Sequence, residues 1–300
     1  MQNKCVLCPR ECQVDRASGK IGYCGCDDKI YVARAALHMW EEPCISGTSG
    51  SGTVFFSGCS LKCVFCQNYS IANCDKGKEI TVERLSEIFI ELQNKGANNI
   101  NLVTAGHYII QVAKAIKIAK NNGLNVPVVY NSSGYEKVES LKMLEGLVDI
   151  YLPDMKYFDD DLAYKYSNAK GYVDVAKSAI AEMYRQVGKN DFDENTGLLK
   201  SGVIVRHLVL PGNVNDSKKV IEYLYNEYGN NIYMSIMSQY TPMKHILESD
   251  KFPELKKKID MDEYDKLIDF AIDIGVENAF IQEEDVAMES FVPDFNCEGV

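Results

Sequence analysis

No apolar run in the 300 residues approaches the roughly 18 that a bilayer-crossing helix needs, and the N-terminus, Met-Gln-Asn-Lys-Cys, carries no secretory hydrophobic stretch. A membrane protein is not expected, and the cytoplasm is the expected compartment. Positive charge is scarce as well. Lys and Arg number 32 against 43 Asp and Glu, a net charge of −11, and from Leu267 to the end nine acidic residues stand without one basic residue. Phosphate backbones are held by clustered Lys and Arg, so nucleic acid is not an expected partner, and the acidic tail reads as solvated surface. Extreme composition is also missing. With 46% hydrophobic and 25% charged residues and no internal repeat, disorder, collagen-like repeats and small disulfide scaffolds are excluded, and the length suits one large α/β domain or two smaller ones.

What the chain does have is cysteine. Nine of its eleven fall in the first seventy residues: Cys5, Cys8, Cys12, Cys24, Cys26, Cys44, Cys59, Cys63 and Cys66. In a cytoplasmic chain such clustering reads as metal binding rather than a disulfide framework.

From residue 51 onward, short β-rich runs alternate with longer amphipathic patterns, the mark of a parallel sheet with crossover helices. Six units are legible, with strands at 53–56, 100–104, 126–130, 148–152, 203–210 and 232–237. The intervening helices fall at 82–95, 108–122, 138–145, 160–187 (with a break at Gly171) and 217–228, and a last one at 261–274. Thr81 is placed to cap the first and Gly123 to stop the second. The pattern suits an incomplete (β/α) barrel, with a doubly wound sheet as the other arrangement; in either, the C-terminal ends of the strands carry the chemistry. Three regions are expected: a Cys-rich metal-binding appendage at 1–50, the β/α core at 51–245, and a C-terminal helix with an irregular acidic tail at 246–300.

Directly after the first strand comes Gly58-Cys59-Ser60-Leu61-Lys62-Cys63-Val64-Phe65-Cys66, three thiols within eight residues at the mouth of the expected barrel. A loop this tight can wrap three corners of a cubane iron–sulfur cluster and leave its fourth iron open to a small molecule. The alternative is a zinc loop completed by Cys74.

This stretch resembles the hallmark of the radical S-adenosylmethionine (SAM) superfamily, three cysteines spaced three and then two residues apart with an aromatic, here Phe65, before the last. Within it the chain is most similar to the pyruvate formate-lyase activating enzyme-like group, through Cys5-Val6-Leu7-Cys8-Pro9-Arg10-Glu11-Cys12, residues 51–59, Asn131-Ser132-Ser133-Gly134, Leu152-Pro153-Asp154-Met155-Lys156 and Val209-Leu210-Pro211-Gly212. The resemblance implies a partial (β/α)6 TIM-like barrel and a [4Fe-4S] cluster on Cys59, Cys63 and Cys66. It also implies SAM on the open iron, cleaved by one electron to methionine and a 5′-deoxyadenosyl radical that abstracts a hydrogen atom. An electron donor such as flavodoxin or ferredoxin is implied with it.

Further residues are expected around SAM. At the second strand's end, where the family has a Gly-Gly-Glu-type turn, the chain reads Thr104-Ala105-Gly106-His107; Thr104 or backbone carbonyls would replace the missing contact, and His107 either faces the cavity or caps the next helix. Asp154 and Lys156 share one strand face and, by resemblance, hold the ribose hydroxyls or carboxylate of SAM. Asn131 and Ser132 match a polar position and otherwise form a plain turn. Arg206 matches a guanidinium for the methionine carboxylate, the alternative being an ion pair with Asp154, while His207 packs between strand and helix. Gln239 and Tyr240 follow the sixth strand, within reach of adenine or substrate. His38, Trp40, Glu41 and Glu42 are read as packing the appendage onto the barrel.

Cys5, Cys8, Cys12 and Cys24, with Cys26 in reserve, form the expected second site, for zinc or an auxiliary iron–sulfur cluster. Cys44, Cys74 and Cys297 read as inert thiols. Two enzyme readings remain: a glycyl-radical enzyme activase, needing a laterally open barrel, and modification of a small molecule or peptide, needing a lid from residues 157–172 or the acidic tail. A non-catalytic metal carrier is the third reading.

Overall fold

The strands, in chain order, are β1 (Ile30–His38), β2 (Ser51–Phe56), β3 (Lys78–Ile80), β4 (Ile100–Val103), β5 (Val128–Ser132), β6 (Ile150–Pro153), β7 (Asp191–Phe192), β8 (Leu199–Leu208), β9 (Tyr233–Met237) and β10 (Ala279–Ile281). The helices are α1 (Pro43–Ser46), α2 (Val82–Asn94), α3 (Ile109–Asn121), α4 (Val138–Leu141), α5 (Asp160–Ser167), α6 (Tyr172–Val187), α7 (Val214–Tyr228), α8 (Lys244–Leu247) and α9 (Met261–Asp273). This computed structural model describes residues 4–282 and 293–300. Thr81 caps α2 by accepting from the Arg84 amide at 3.1 Å, and Gly171, at φ +62°, separates α5 from α6 where the sequence places the break.

The sheet runs β10-β9-β8-β6-β5-β4-β2-β1-β3, and from β2 to β10 every neighbouring pair is parallel. Strand order follows chain order without reversal, which makes a barrel wall rather than a doubly wound sheet. The wall stays open between β3 and β10. Alternation sorts the side chains: Val54, Leu102, Tyr130, Tyr151, Val205 and Ile236 pack under the helices. Val129, Ile150, Leu152 and Ile204 pack inward with Cys44 and Ile45 of α1. A four-residue helix thus fills the interior below the site.

Four strands fall where the sequence pattern shows none: the short β3 and β7, and two that change the architecture, β1 and β10. β1 lies in the stretch read as appendage and pairs antiparallel with both β2 and β3. β10, in the supposedly irregular tail, adds a seventh parallel strand. The chain's end also has a place: the Cys297 amide donates to Ala33 O at 2.9 Å, the Ala35 amide donates to Glu298 O at 2.8 Å, and Phe295 sets its ring edge on Phe55 at 5.3 Å. The acidic stretch 283–292 lies outside the described residues. No helix among the described residues is long and apolar enough to cross a membrane.

Candidate active site at the C-terminal ends of the strands

β2 ends at Phe56, and its continuation carries Cys59, Cys63 and Cys66 across the top of the wall. The start of this loop is fixed from beneath. The Gly58 amide donates to Ile71 O at 2.8 Å, the Cys59 amide to Cys24 O at 3.1 Å, and the His107 ring is bonded through Nε2 to Ser57 O at 2.8 Å. Gly58 must be glycine: it sits at φ +87°, and a Cβ there would stand 2.3 Å from the Cys26 sulfur. Lys62, at φ 55°, turns the chain between the first two thiols.

Each of the first two sulfurs already has donors. Cys59 Sγ accepts from the Leu61 and Lys62 amides at 3.3 and 3.5 Å, and Cys63 Sγ accepts from the Ser167 hydroxyl at 3.0 Å. Burial and the neighbouring sulfurs push Cys63 up to about 11 and Cys66 up to about 12, with Lys156 working the other way. Free, these thiols keep their protons, and a bound metal must displace them. Among the described residues no three His, Cys, Asp or Glu side chains converge on a single metal ion. Three mutually influencing sulfurs on one tight loop, two of them already accepting from N–H or O–H donors, fit three corners of a cubane cluster.

Beside the loop, Lys156 Nζ donates to Asp154 Oδ2 at 2.6 Å, a half-buried pair at the end of β6. Burial opposes the ammonium charge, but Asp154 and the Cys63 sulfur together hold Lys156 above its ordinary value. Asp154 also bridges to Arg206 along the backbone. Thr104, just past β4, takes φ 62° while its amide donates to Asn131 O at 2.9 Å. A β-branched residue in left-handed backbone is strained, and such strain gathers at functional turns. Asn131 and Ser132 are buried at the end of β5, where Ser132 Oγ accepts from the Gly134 amide at 3.2 Å. Gln239, beyond β9, leans on the Met237 sulfur at 3.6 Å.

Three expectations are corrected. Arg206 does not stand ready for a SAM carboxylate, nor does its side chain pair with Asp154. Its Nε and one terminal nitrogen donate to Glu42 at 2.8 and 2.6 Å, and it also pairs with Glu41. The Asn101 side-chain Nδ2 donates to Glu41 Oε1 at 2.9 Å. Residues 41 and 42 thus reach into the barrel as part of a buried charged layer rather than packing an appendage from outside. Phe65 is buried behind the loop, edge-on to Tyr157 and Tyr166 at 6.3 and 6.4 Å, which makes it the loop's footing. His107 is buried under the loop start and neither faces the cavity nor caps α3; burial lowers it to about 3, so it stays neutral. His207 packs between strand and helix as read, bonded to Met155 O at 2.7 Å and Ser217 Oγ at 2.8 Å. The Tyr240 hydroxyl donates to Leu255 O at 2.6 Å.

Two residues that sequence reasoning passes over complete the loop. Ser167, at the end of α5, bonds Cys63. Arg10 donates to Ser60 O at 2.7 Å, to Leu61 O at 3.4 Å and to Ser167 O at 2.9 Å, and lies 4.0 Å over the Tyr23 ring. The signal for Arg10 is its place inside Cys8-Pro9-Arg10-Glu11-Cys12, an arginine that a metal knuckle does not itself require.

A parallel wall in chain order with a three-cysteine loop off its first parallel strand defines a barrel enzyme built around a metal cofactor. The family model of the radical SAM superfamily matches residues 53–224, and the chain belongs to that superfamily, whose members are enzymes carrying a [4Fe-4S] cluster and SAM. It is 28% identical over 276 residues to the uncharacterized protein MJ0674 of Methanocaldococcus jannaschii, covering 89% of this chain and 74% of that one. It is 28% identical over 188 residues to the pyruvate formate-lyase-activating enzyme of Clostridium pasteurianum, covering 61% of this chain and 71% of that enzyme. Among solved structures, Streptococcus suis SuiB shares the fold at a TM-score of 0.50 and 12% identity, over 79% of this chain. This chain spans about half of SuiB, 49% of its length.

Proposed function

We propose that the chain reductively cleaves SAM to a 5′-deoxyadenosyl radical and uses it to take a hydrogen atom from a glycine of a partner enzyme. The observation that carries the reading is the nearness of the three-cysteine loop to the half-buried Asp154–Lys156 pair at the strands' C-terminal ends. Likeness to the Clostridium pasteurianum activating enzyme supports a protein partner. When bound, the cluster supplies one electron at low potential and an open iron for the amino and carboxylate groups of SAM. The chain's residues do the rest. Cys59, Cys63 and Cys66 hold the cluster; Lys156, kept charged, and Asp154 orient the ribose hydroxyls and carboxylate; Thr104, Asn131, Ser132 and Gln239 line the remaining rim. Flavodoxin or ferredoxin is the proposed class of electron donor.

One observation favours the second reading, a small molecule or peptide held under a lid: residues 293–300 run along β1 and seat Phe295 on Phe55 and Val103. Anaerobically reconstituted, dithionite-reduced protein with SAM separates the two. The activase reading expects little 5′-deoxyadenosine until a glycyl-radical enzyme is added, then a glycine-centred electron paramagnetic resonance doublet. The lidded reading expects turnover with a small-molecule or peptide pool instead. No product under any condition, or product undiminished in Cys66→Ala, refutes both.

A further inference from the structure

The N-terminal segment reaches the three-cysteine loop through one side chain. Residues 5–14 fold back on themselves: the Cys5 amide donates to Val14 O at 2.9 Å, the Gln13 amide to Cys5 O at 3.0 Å, and the Glu11 amide to Cys8 O at 3.0 Å. This loop is pinned to the start of α4. Ser140 Oγ donates to Leu7 O at 2.6 Å, and Lys137 Nζ donates to the Glu11 carboxylate at 2.6 Å. The next turn, 22–26, closes over it, with the Tyr23 amide on Cys12 Sγ at 3.2 Å and the Cys24 sulfur 3.6 Å from where a Cβ on Gly22 would sit. The Arg10 side chain therefore leaves from a fixed base.

The Arg10 guanidinium bridges two elements that lie far apart in the chain. Nε donates to Ser60 O at 2.7 Å and a terminal nitrogen to Leu61 O at 3.4 Å, both between the first two thiols. On the other side the terminal nitrogens donate to Ser167 O at 2.9 Å and to Asn168 O, at the end of α5. A helix that stops in left-handed backbone, as α5 does at Asn168 (φ 48°), leaves its last carbonyls in need of donors and favours a cation there. The planar fork of N–H groups lets one arginine serve four carbonyls at once, which a lysine cannot do. Rings of Tyr23 at 4.0 Å and Tyr135 at 5.3 Å hold that plane in place. The same junction carries the Val64 amide on Tyr166 O at 2.8 Å and the Ser167 hydroxyl on Cys63 Sγ at 3.0 Å. Arg10 thus grips both the residue that donates to Cys63 and the stretch that joins Cys63 to Cys59.

We propose that Arg10 is a positioning residue for the cluster chemistry: it holds residues 60–63 and the Ser167 hydroxyl in register, so that the Cys63 sulfur keeps its donor. This role rests on the cluster being held by Cys59, Cys63 and Cys66, as proposed above, and two measurements keep the two claims apart. Hydrogen exchange on the full chain, before and after reconstitution with iron and sulfide, reads the clamp directly. Already in the metal-free state, Arg10→Gln is expected to speed exchange of the amides at 61–64 by about tenfold or more, with α7 unchanged. The redox potential reads the effect on the cluster. Arg10→Gln and Ser167→Ala are each expected to lower the midpoint of the reconstituted chain, and Ser167→Ala is expected to add little in the Arg10→Gln background, where Ser167 is already out of place. Exchange that is unchanged, or faster throughout the chain, overturns the proposal, and so do midpoint shifts that add in full. If Arg10→Gln does not fold, Arg10→Lys decides: it keeps the charge but cannot span four carbonyls, so exchange at 61–64 still rises and the midpoint still falls, and a wild-type value for either overturns the proposal. A wild type that forms no cluster on these cysteines refutes the reading above and this role with it, and is told apart from failure of the clamp by exchange at 61–64 that still depends on Arg10.

Discussion

Arg206 gives the sharpest test, because the resemblance and the structure assign it different work. In the fold it is buried between two carboxylates, Glu41 and Glu42, whose side chains are 7% and 5% exposed. Burial works against the charges of both Glu42 and Arg206, yet Arg206 holds Glu42 below the usual carboxylate range and the two acids hold Arg206 well above its own. Removing the guanidinium leaves two desolvated carboxylates facing each other, and breaking a buried pair in this way costs about 3–5 kcal/mol. For a chain of this size, Arg206→Met is expected to lower the melting temperature by on the order of 10 °C.

The rescue separates stability from binding. Glu41→Gln and Glu42→Gln remove the stranded charges, so the triple variant with Arg206→Met is expected to recover most of the lost stability. Its affinity for SAM, read anaerobically from the cluster's spectroscopic response, is expected to stay within about threefold of wild type, because a guanidinium occupied by two glutamates has no free face for a third carboxylate. A triple variant that regains its melting temperature and still loses SAM binding tenfold or more refutes the assignment. So does Arg206→Met that melts like the wild type.

Three further outcomes follow from the same geometry. Thr104→Gly is expected to stabilise the fold by up to about 1 kcal/mol in denaturant titration, since glycine takes the positive φ without the clash that Thr104 bears. His207, lowered by burial to about 4, contributes stability that is full above its unfolded value near 6.5 and is lost as pH falls through 4, on the order of 3 kcal/mol in all; His207→Gln is expected to remove that portion of the acid sensitivity in unfolding measured from pH 7 to 4. Ser167→Ala removes the hydroxyl donor to Cys63 and is expected to move the cluster to lower potential in a redox titration, leaving iron content unchanged.

The residues that the sequence makes legible are those whose signal is local. β4, β5, β6 and β9 are buried on both faces, so each shows as an apolar run between turn residues, and the three-cysteine loop is a contiguous motif. β10 is three residues long, and its pairing with β9 rests on partners more than forty residues away in the chain rather than on any pattern of its own. β1 alternates as a strand should, but it pairs antiparallel and has no crossover helix, so it stands outside the β/α rhythm that reveals the others. Arg206 shows the general reason. Its counter-ions lie more than 160 residues earlier, and no periodicity connects them, yet the chemistry does. An arginine in the apolar strand Val203-Ile204-Val205-Arg206 demands an anion. Glu41 and Glu42 stand just ahead of Pro43-Cys44-Ile45, an apolar turn too short to form a surface helix of its own. Pairing the unexplained buried cation with the unexplained acidic doublet would have found the layer without coordinates.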